Sequence, residues 1–381
     1  MIPAALAAGL LASAAADGQR CGGGPWLHFL RYVEAFVSPD GRVIDRSAGD
    51  RSTSEGQAYA MFFALVANDR PLFARLLQWT EANLADGDLE HRLPAWHWGR
   101  RRDGSWGVID RNSASDADLW IAYALVEAAR LWSVPSYDEL ARRILRNVVA
   151  REVADIPGLG PMLLPGASGF ALEGGRAFRL NPSYQPPQLL RRFGAAEVPG
   201  PWSGILASTA TMLRATATAG AVADWVVYRA RHGFLPDPVH GRIGSYDAIR
   251  TYLWVGMLSE EDPDRRDLAA GLGALLEQLA RTGRVPERID ARSLRVQGEA
   301  PAGFAAALLP LARARGDDAA ARALEERVAR AVHDGLVGKP PAYYDQNLAL
   351  FGRGFAEGRF RFRADGSLAP SWETQCLGRA R

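Results

Sequence analysis

The arrangement of apolar residues constrains what this chain can fold into more than any other feature of the sequence. Apolar residues recur at positions i, i+3, i+4 and i+7 in about twelve segments of roughly 10–20 residues. No convincing series of alternating apolar and polar residues, which would indicate strands, lies between them. The chain is therefore predicted to be all-α. The predicted helices are 26–37, 55–68, 71–85, 116–132, 136–151, 184–193, 203–219, 246–258, 264–281, 301–315, 317–334 and 343–356.

The connections between these helices favour a closed ring. Some are a few residues long, as at 68–71, whereas others are long and rich in Gly, Pro and Trp, as at 86–112, 152–182 and 233–245. Helix pairs with short turns at one end and long loops at the other predict six helical hairpins in an (α/α)6 barrel, with the function on the long-loop face. This pattern alone does not distinguish the ring from an α-solenoid, although no fixed repeat period is visible.

The beginning of the chain has the pattern of an export signal. Residues 2–16 form an apolar run rich in Ala that ends in small residues, although no Lys or Arg precedes it. This pattern predicts a signal peptide over 1–16 and export of the protein. No shift in composition marks a domain boundary after it, so 17–381 is predicted to form one domain. No other stretch is long and apolar enough to cross a bilayer.

Charge and cysteine content narrow the possible classes further. The 381 residues include 45 basic and 43 acidic side chains, a formal charge of +2, which argues against a nucleic-acid-binding protein. The six His are scattered and no Cys/His cluster has the spacing of metal ligands, so neither a metal site nor a cofactor is predicted. Cys21 and Cys376 either form a disulfide in an oxidising compartment or stay as two free thiols, and the sequence leaves both alternatives open.

Glu55 is the first candidate catalytic residue. It opens an otherwise apolar helix in the segment Ser-Glu-Gly-Gln-Ala-Tyr-Ala-Met, where Gly56 lets a bulky partner come close. The alternative is a capping box formed with Ser52, which needs no substrate. The same spacing of Ser and acid occurs at Ser113 and Asp116 and at Ser136 and Glu139.

Asp116 and Asp247 are the other two candidate acids. Asp116 and Asp118 begin a helix that is almost wholly apolar afterwards, although either acid would also complement a helix dipole. Asp247 and Arg250 are spaced i, i+3 and so share a helix face. A neighbouring guanidinium favours the ionised carboxylate, which suits a general base. The alternative for this pair is a surface ion pair of little energetic value.

Aromatic residues supply the candidate substrate-binding surface. The chain contains 11 Trp, 14 Phe and 10 Tyr. Such a surplus of flat amphipathic rings suits a groove for a sugar chain, and rings in surface loops cannot all belong to the core. The candidate substrate-binding residues, taken together with Arg250, are Trp98, Trp106, Tyr184, Trp202, Tyr246 and Tyr343.

Four blocks of this sequence together resemble glycoside hydrolase family 8. The defining segment is Ala-Ser-Asp-Ala-Asp-Leu-Trp-Ile-Ala-Tyr-Ala-Leu, which begins at Ala114. Ser-Glu-Gly-Gln-Ala-Tyr-Ala-Met, Asn-Pro-Ser-Tyr and Ser-Tyr-Asp-Ala-Ile-Arg resemble the other blocks of the family, in the same order and at similar spacing. The resemblance covers roughly 26–356. Trp-His-Trp-Gly, the export signal and the Tyr-Tyr…Leu-Phe-Gly segment are most similar to the periplasmic endoglucanases of bacterial cellulose synthase operons.

This resemblance implies an (α/α)6 barrel that hydrolyses β-1,4-glucan with inversion of the anomeric configuration. Glu55 matches the general acid of the family, Asp247 the general base, and Asp116 the acid that holds and distorts the sugar at the cleavage point. Tyr184 and Trp106 match the aromatic platform, whereas Trp98, Trp202 and Tyr343 match it less closely. Asp345 and Gln346 depart from the pattern and receive no role. The expected partners are a β-1,4-glucan chain and the cellulose synthase complex.

Three other interpretations stay open on the sequence alone. The first is a hydrolase of the same fold that acts on chitosan, xylan or mixed-linkage glucan. The second is a catalytically silent protein that binds glucan or acts as a scaffold in an export complex, although Glu55 and Asp247 are both present. The third is a sugar isomerase or epimerase, which usually relies on His residues, and none of the six His lies in such a motif.

Overall fold

The protein is described here by a computed structural model that covers residues 24–373. Within that range the chain forms thirteen α-helices, and these match the twelve predicted segments except that 264–281 divides into two helices. The helices are α1 Leu27–Phe36, α2 Ser54–Val66, α3 Arg70–Leu84, α4 Ser115–Trp132, α5 Pro135–Glu152, α6 Pro187–Ala195, α7 Trp202–Thr216, α8 Ala248–Gly256, α9 Arg265–Ala270, α10 Ala274–Thr282, α11 Ala302–Ala314, α12 Asp318–Arg330 and α13 Tyr343–Ala356.

The helices form two concentric rings. Helices α2, α4, α6, α8, α11 and α13 contact one another in that order, and α13 contacts α2 to complete the inner ring. Each inner helix pairs with outer helices next to it in the chain: α2 with α3, α4 with α5, α6 with α7, α8 with α9, and α11 with α12. The sixth pair joins α13 to α1, from the other end of the described chain. The predicted (α/α)6 barrel of six helical hairpins is therefore confirmed.

Burial explains why these sequences take inner and outer positions. In α2 every residue except Glu55 is buried, whereas the outer helix α12 buries only four of its thirteen residues. The inner helices also come very close together: a Cβ on Gly352 of α13 would lie 1.9 Å from the Ala306 carbonyl oxygen of α11. Most of the buried apolar side chains of residues 24–373 belong to one continuous cluster.

The long connections contain short antiparallel strands that the sequence pattern did not reveal. They are two to five residues long, too short to show the alternation of a strand. They form one four-stranded, two three-stranded and three two-stranded sheets within the described residues. The strands are β1 Ser52–Thr53, β2 His97–Arg100, β3 Trp106–Asp110, β4 Val153–Ile156, β5 Gly160–Leu163, β6 Ala171–Leu172, β7 Ala177–Leu180, β8 Val226–Arg229, β9 Gly233–Pro236, β10 Ile243–Gly244, β11 Arg288–Asp290, β12 Val296–Gln297, β13 Val332–His333, β14 Leu336–Val337, β15 Phe360–Phe362 and β16 Leu368–Pro370.

The three predicted capping boxes are wrong. Thr53, and not Ser52, caps α2, since its hydroxyl accepts the Gly56 N–H at 3.2 Å. Ser113 instead donates its hydroxyl to Glu152 at 2.5 Å, and Ser136 lies inside α5. The Ser-x-x-acid spacing therefore does not account for the presence of an acid at the start of α2 or α4.

Several predictions concern residues outside the described range. The predicted signal peptide, Cys21 and Cys376 all lie outside residues 24–373. Within 24–373, no helix is long and apolar enough to cross a membrane. In the same range, no group of three or more His, Cys, Asp and Glu side chains is placed to hold a metal ion.

Candidate active site

The amino-terminal ends of the inner helices meet on the face of the barrel that carries the long loops. Glu55 is the second residue of α2, Asp116 is the second residue of α4, and Asp247 directly precedes α8. Tyr343 and Tyr344 are the first two residues of α13. Helix amino termini carry partial positive charge, so this end of the ring favours carboxylates.

Arg250 is the centre of this group of acids. Its side chain is 4% exposed and its Nη1 donates to Glu55 Oε1 at 2.7 Å. Its Nη2 donates to Asp247 Oδ1 at 3.0 Å and to the Ser183 hydroxyl at 3.1 Å, and lies 3.6 Å from Asp116 Oδ2. One guanidinium therefore binds three helices at once, and the Asp247–Arg250 contact is a buried part of the site rather than a surface ion pair.

Asp116 is the most deeply buried of the three acids. Its side chain is 1% exposed, and its Oδ1 accepts the Ala117 N–H at 2.8 Å. Burial raises the pKa of Asp116 well above its usual range, and the neighbouring Glu55 charge raises it further, while Arg250 acts in the opposite direction. The nearby Glu55 carboxyl also favours the protonated form of Asp116. Asp116 therefore holds a proton more tightly than an ordinary aspartate does.

Asp247 has a different environment. Its side chain is 30% exposed and therefore open to the cleft. Burial of the surrounding site raises the pKa of Asp247 to about 6, and the charges of Asp224 and Glu55 add to this, while Arg250 and Asn181 oppose it. At neutral pH Asp247 is therefore mainly ionised and can accept a proton.

Tyr184 and Ser183 support Arg250 from the opposite wall. They lie in the short 3-10 turn Pro182–Tyr184, which follows β7. The Tyr184 ring lies under the guanidinium, with 5.4 Å from its centroid to Arg250 Cζ. Trp254 of α8 donates its indole N–H to the Ser183 carbonyl at 2.9 Å, which fixes this turn against the inner ring.

Trp98 and Trp106 form a separate aromatic surface on the β2–β3 hairpin. Their ring centroids are 5.4 Å apart with an interplanar angle of 23°, and Trp106 is 44% exposed. Arg42 Cζ lies 4.3 Å from the Trp98 ring centroid and 4.8 Å from that of Trp106. Because Trp98 pairs with Ser52 of β1, this surface is joined to the strand that leads directly into Glu55.

Tyr246 and Tyr344 form a second surface, on the other side of Asp247. Tyr246 is 44% exposed, and its ring packs against Tyr344 at 5.9 Å and Phe304 at 5.1 Å. Tyr344 donates its hydroxyl to the Tyr246 carbonyl oxygen. Its hydroxyl also interacts electrostatically with Arg250 and Asp247, so Tyr344 belongs to the site.

Two of the predicted platform residues are wrong. Trp202 is 1% exposed and packs at 5.0 Å against Phe193, so neither face of its ring is open to a sugar. Tyr343 is 7% exposed, and a Cβ on Gly56 would lie 2.2 Å from its hydroxyl oxygen. Tyr343 therefore fills the space beside the Glu55 helix from within the core. Each of these two residues is the first residue of a helix, and its side chain is buried there instead of lying in an open loop.

Asp345 and Gln346, to which the sequence assigned no role, have structural contacts. Asp345 accepts a backbone hydrogen bond from Gly303 at the start of α11. The Gln346 amide donates to the Val337 carbonyl at 2.6 Å and accepts the Val337 N–H at 2.8 Å. Gln346 also contacts His28 Nε2 at 3.1 Å, which joins α13 to α1.

Sequence reasoning missed three residues close to the acids. Tyr344 stood beside the candidate Tyr343, and only helix geometry decides which of the two faces the cleft. Trp225 lies 6.1 Å from Tyr184 between the Phe170 ring and Arg179, and Asp224 precedes it in the chain. Trp225 and Asp224 lie outside the sequence motifs, and only the fold of the loop before β8 brings them to the site.

A sequence profile described as "Glycosyl hydrolases family 8" matches residues 2–358 of this chain. The chain belongs to glycosyl hydrolase family 8. It is therefore an enzyme, a glycoside hydrolase. The blocks that suggested the family in the sequence are those that place Glu55, Asp116 and Asp247 around Arg250.

Named relatives and solved structures agree with this assignment. The chain is 47% identical to an endoglucanase of Xanthomonas axonopodis pv. citri over 97% of its own length and 95% of that protein. It is 41% identical to an endoglucanase of Escherichia coli strain K12, with 92% of each chain covered. Its fold matches the crystal structure of an endo-1,4-D-glucanase from Vibrio fischeri ES114 with a TM-score of 0.83 and 38% identity, over 91% of this chain and 99% of that chain.

Proposed function

We propose that this family 8 enzyme is an endo-β-1,4-glucanase, a cellulase, that cleaves its substrate with inversion. The observation that carries the proposal is the position of Arg250 between Glu55 and Asp247. The guanidinium binds the two carboxylates, which come from the starts of different helices, through different nitrogens. An inverting mechanism needs one carboxyl group that protonates the leaving oxygen and a second that activates water, and Glu55 and Asp247 are proposed for these two roles.

Glu55 is the proposed general acid. It must carry a proton to the glycosidic oxygen, and the buried Asp116 carboxyl beside it, whose pKa is raised, holds a proton tightly. Asp116 is proposed to keep this proton beside Glu55 and to hold and distort the sugar at the cleavage point. Its Oδ2 has no hydrogen-bond donor among the described groups, and a sugar hydroxyl would supply one.

Asp247 is the proposed general base. With a pKa of about 6, its carboxylate is ionised at neutral pH yet basic enough to take a proton from the attacking water. Arg250 orients this carboxylate through Nη2 and stays charged throughout, since the acids around it raise the pKa of its guanidinium. Proton donor and proton acceptor are therefore set apart by their environments.

A β-1,4-glucan is the proposed substrate because it presents the flat sugar faces that aromatic rings bind. Trp106 and Tyr246 are exposed, the half-buried Trp98 stacks on Trp106, and Tyr184 lies beside Arg250. An endo-acting enzyme needs binding surfaces on both sides of the cleavage point, and these two surfaces meet that requirement. The printed names of the relatives support the same activity.

We further propose that the enzyme acts in the periplasm and supports bacterial cellulose synthesis, next to the cellulose synthase complex. The support for this role is the resemblance of the sequence to that subgroup and the signal-like pattern of residues 2–16. Mass spectrometry of the protein from a periplasmic extract tests the location. A mature chain that starts at Asp17 is expected, and a protein found only in the cytoplasm with its first residues intact would contradict it.

The activity is tested by following cellopentaose hydrolysis by time-resolved proton NMR of the anomeric signals. The α-anomer is expected first and should then mutarotate slowly. Glu55→Gln and Asp247→Asn should each reduce turnover by about 10³-fold or more while they retain glucan binding, because both groups act on the transition state. Glu139→Gln, an exposed acid on the outer helix α5, is the matched control and should leave turnover unchanged.

Other outcomes of this experiment favour specific alternatives. The β-anomer as first product would refute the Glu55–Asp247 assignment. Binding of cellopentaose without any product would favour a silent glucan-binding or scaffolding protein. Hydrolysis of chitosan or xylan oligosaccharides, with no action on cellopentaose, would favour a hydrolase of the same fold that acts on another polysaccharide.

A further inference from the structure

Asp224 holds the backbone on both sides of Asp247. It lies in the segment between α7 and β8, far from α8 in sequence. Its Oδ1 accepts the Ser245 N–H and the Ala248 N–H, each at 2.7 Å. Ser245 lies two residues before Asp247 and Ala248 directly follows it, so one carboxylate oxygen fixes the turn that presents Asp247 to the cleft.

The Asp247 side chain does not cap the helix that follows it. Asp247 occupies the residue before α8, where an Asp normally accepts a backbone N–H of the first helical turn. Here its side chain makes no such bond, and the N–H groups of Ile249 and Arg250 donate to the Ser245 and Asp247 carbonyls at 3.1 Å instead. The Asp247 carboxylate is thereby free to face Arg250 and the cleft.

Asp224 is itself fixed in position. The Tyr252 hydroxyl accepts the N–H of Val222, two residues earlier, at 3.2 Å, and the Asp224 N–H donates to the Ile243 carbonyl at 2.9 Å. These two hydrogen bonds attach the segment that carries Asp224 to α8 and to β10 without any contribution from the Asp224 side chain. Such double attachment is what holds a supporting residue to within a fraction of an ångström.

Five charged or polar side chains, each from a different part of the fold, surround Asp247. Asp247 is surrounded by Arg250 of its own helix, Glu55 of α2, Asn181 after β7, Asp224 before β8, and Tyr344 of α13. Of the two acids that raise the pKa of Asp247, Asp224 has the larger effect and Glu55 the smaller. Asp224 also interacts with Arg250, Tyr252 and Tyr344.

We propose that Asp224 is a positioning residue for the reaction, which holds the loop of Asp247 and keeps a negative charge beside it so that Asp247 is a stronger base. This inference rests on the proposed role of Asp247. The Asp224 side chain then has two functions. Anchoring the loop needs only an acceptor oxygen, whereas making Asp247 more basic needs the negative charge of Asp224.

Asp224→Asn tests the inference because the amide oxygen can still accept both N–H groups while the charge is lost. The carboxyl of Asp247 is followed by ¹³C NMR across a pH titration, with its signal identified by its absence from Asp247→Asn. Its midpoint is expected to fall by about half a unit or more in Asp224→Asn, and the acidic limb of kcat/KM should move by the same amount. Asp224→Ala removes the anchor as well and is expected to lower kcat about tenfold further with little change in KM.

Asp317→Asn is the matched control, since Asp317 also accepts a helix-start N–H, from Ala320 at 2.9 Å, but follows the far end of α11. It should leave the Asp247 titration and the rate unchanged. An unmoved Asp247 titration in Asp224→Asn, or an equal shift in the control, would overturn the inference. If wild-type protein lacks hydrolytic activity, the proposed function fails, but the NMR titration still decides the role of Asp224.

Discussion

The three acids differ because each meets a different combination of burial and charge around the same arginine. Asp116 is enclosed beside Glu55, which raises its pKa well above the usual range, whereas Asp247 is more open and retains contact with Arg250. Residue types alone could not distinguish them, since all three begin helices and all carry a carboxyl group. Their environments depend on the meeting of α2, α4 and α8, which lie far apart in the sequence.

At the residue scale, activity should be lost as the pH falls through about 6. Asp247 must be ionised to accept the proton of water, and its surroundings raise its pKa to about 6 in the folded protein. Below that value its carboxylate is progressively protonated, so kcat/KM should decline about tenfold for each further pH unit. A pH profile with cellopentaose measures this limb; a rate that stays flat down to pH 4 would contradict the assignment of Asp247 as the base.

At the element scale, the helix pattern of the sequence was sufficient to locate almost every helix, because apolar residues at helical spacing report directly on burial. The strands and the aromatic surfaces were harder to predict from the sequence. Trp98 and Trp106 were assigned to a loop, yet they stack because the β2–β3 hairpin brings them together across two strands. Trp202 failed as a prediction since the first turn of an outer helix can face inward, which no local pattern indicates.

The contact between α2 and α13 depends on the absence of a side chain at Gly56. A Cβ there would lie 2.2 Å from the Tyr343 hydroxyl oxygen. Gly56→Ala should therefore destabilise the protein by about 1–3 kcal/mol and displace the start of the Glu55 helix, which should reduce turnover. Thermal unfolding and the cellopentaose rate measure the two effects.

Gly194→Ala provides the comparison for that experiment. Gly194 lies in α6, where an added Cβ has only an ordinary contact, 3.5 Å from the Ser203 hydroxyl. This variant should be unchanged or more stable by up to about 1 kcal/mol, because Ala favours a helix over Gly. Equal losses of stability in Gly56→Ala and Gly194→Ala would show that the close approach of Tyr343 to Gly56 does not cause the effect.

The β2–β3 hairpin should contribute to binding rather than to chemistry. Trp98→Ala and Trp106→Ala are each expected to weaken binding of a long soluble glucan about fivefold, from the loss of roughly 1 kcal/mol of stacking, with kcat little changed. Ile109→Ala is a suitable control, since Ile109 is equally exposed on β3 but its side chain points to the opposite face. Steady-state kinetics on short and long substrates separate the effects, and a fall in kcat with unchanged KM would contradict this division.

At the scale of the whole molecule, a buried acid pair outside the cleft affects stability. Glu152 and Asp118 are both fully buried and interact with each other, and burial raises the pKa of Glu152 to about 7. Between the ordinary pKa of Glu and this value, the folded protein holds a proton that the unfolded chain has released. The contribution of Glu152 to stability therefore decreases as the pH rises from about 4.5 to 7.

Glu152→Gln should remove this pH dependence. The free energy of unfolding of the variant, relative to wild type, should increase as the pH rises through that window, by at most about 3 kcal/mol. Chemical denaturation at pH 5, 6, 7 and 8 measures the difference, with Glu139→Gln as the exposed counterpart. A difference that is constant across this range would show that Glu152 is not protonated in the folded protein.

The pairing of α13 with α1 has a consequence for how the protein forms. His28 and Gln346 are in contact although they stand 318 positions apart in the chain, and the inner ring is complete only when α13 lies between α11 and α2. Contacts of such long sequence separation slow folding, because the intervening chain must first lose its freedom. During synthesis α13 emerges after the other helices of the ring, so the apolar flanks of α2 and α11 stay uncovered until α13 has been made, and apolar surface exposed in this way favours aggregation.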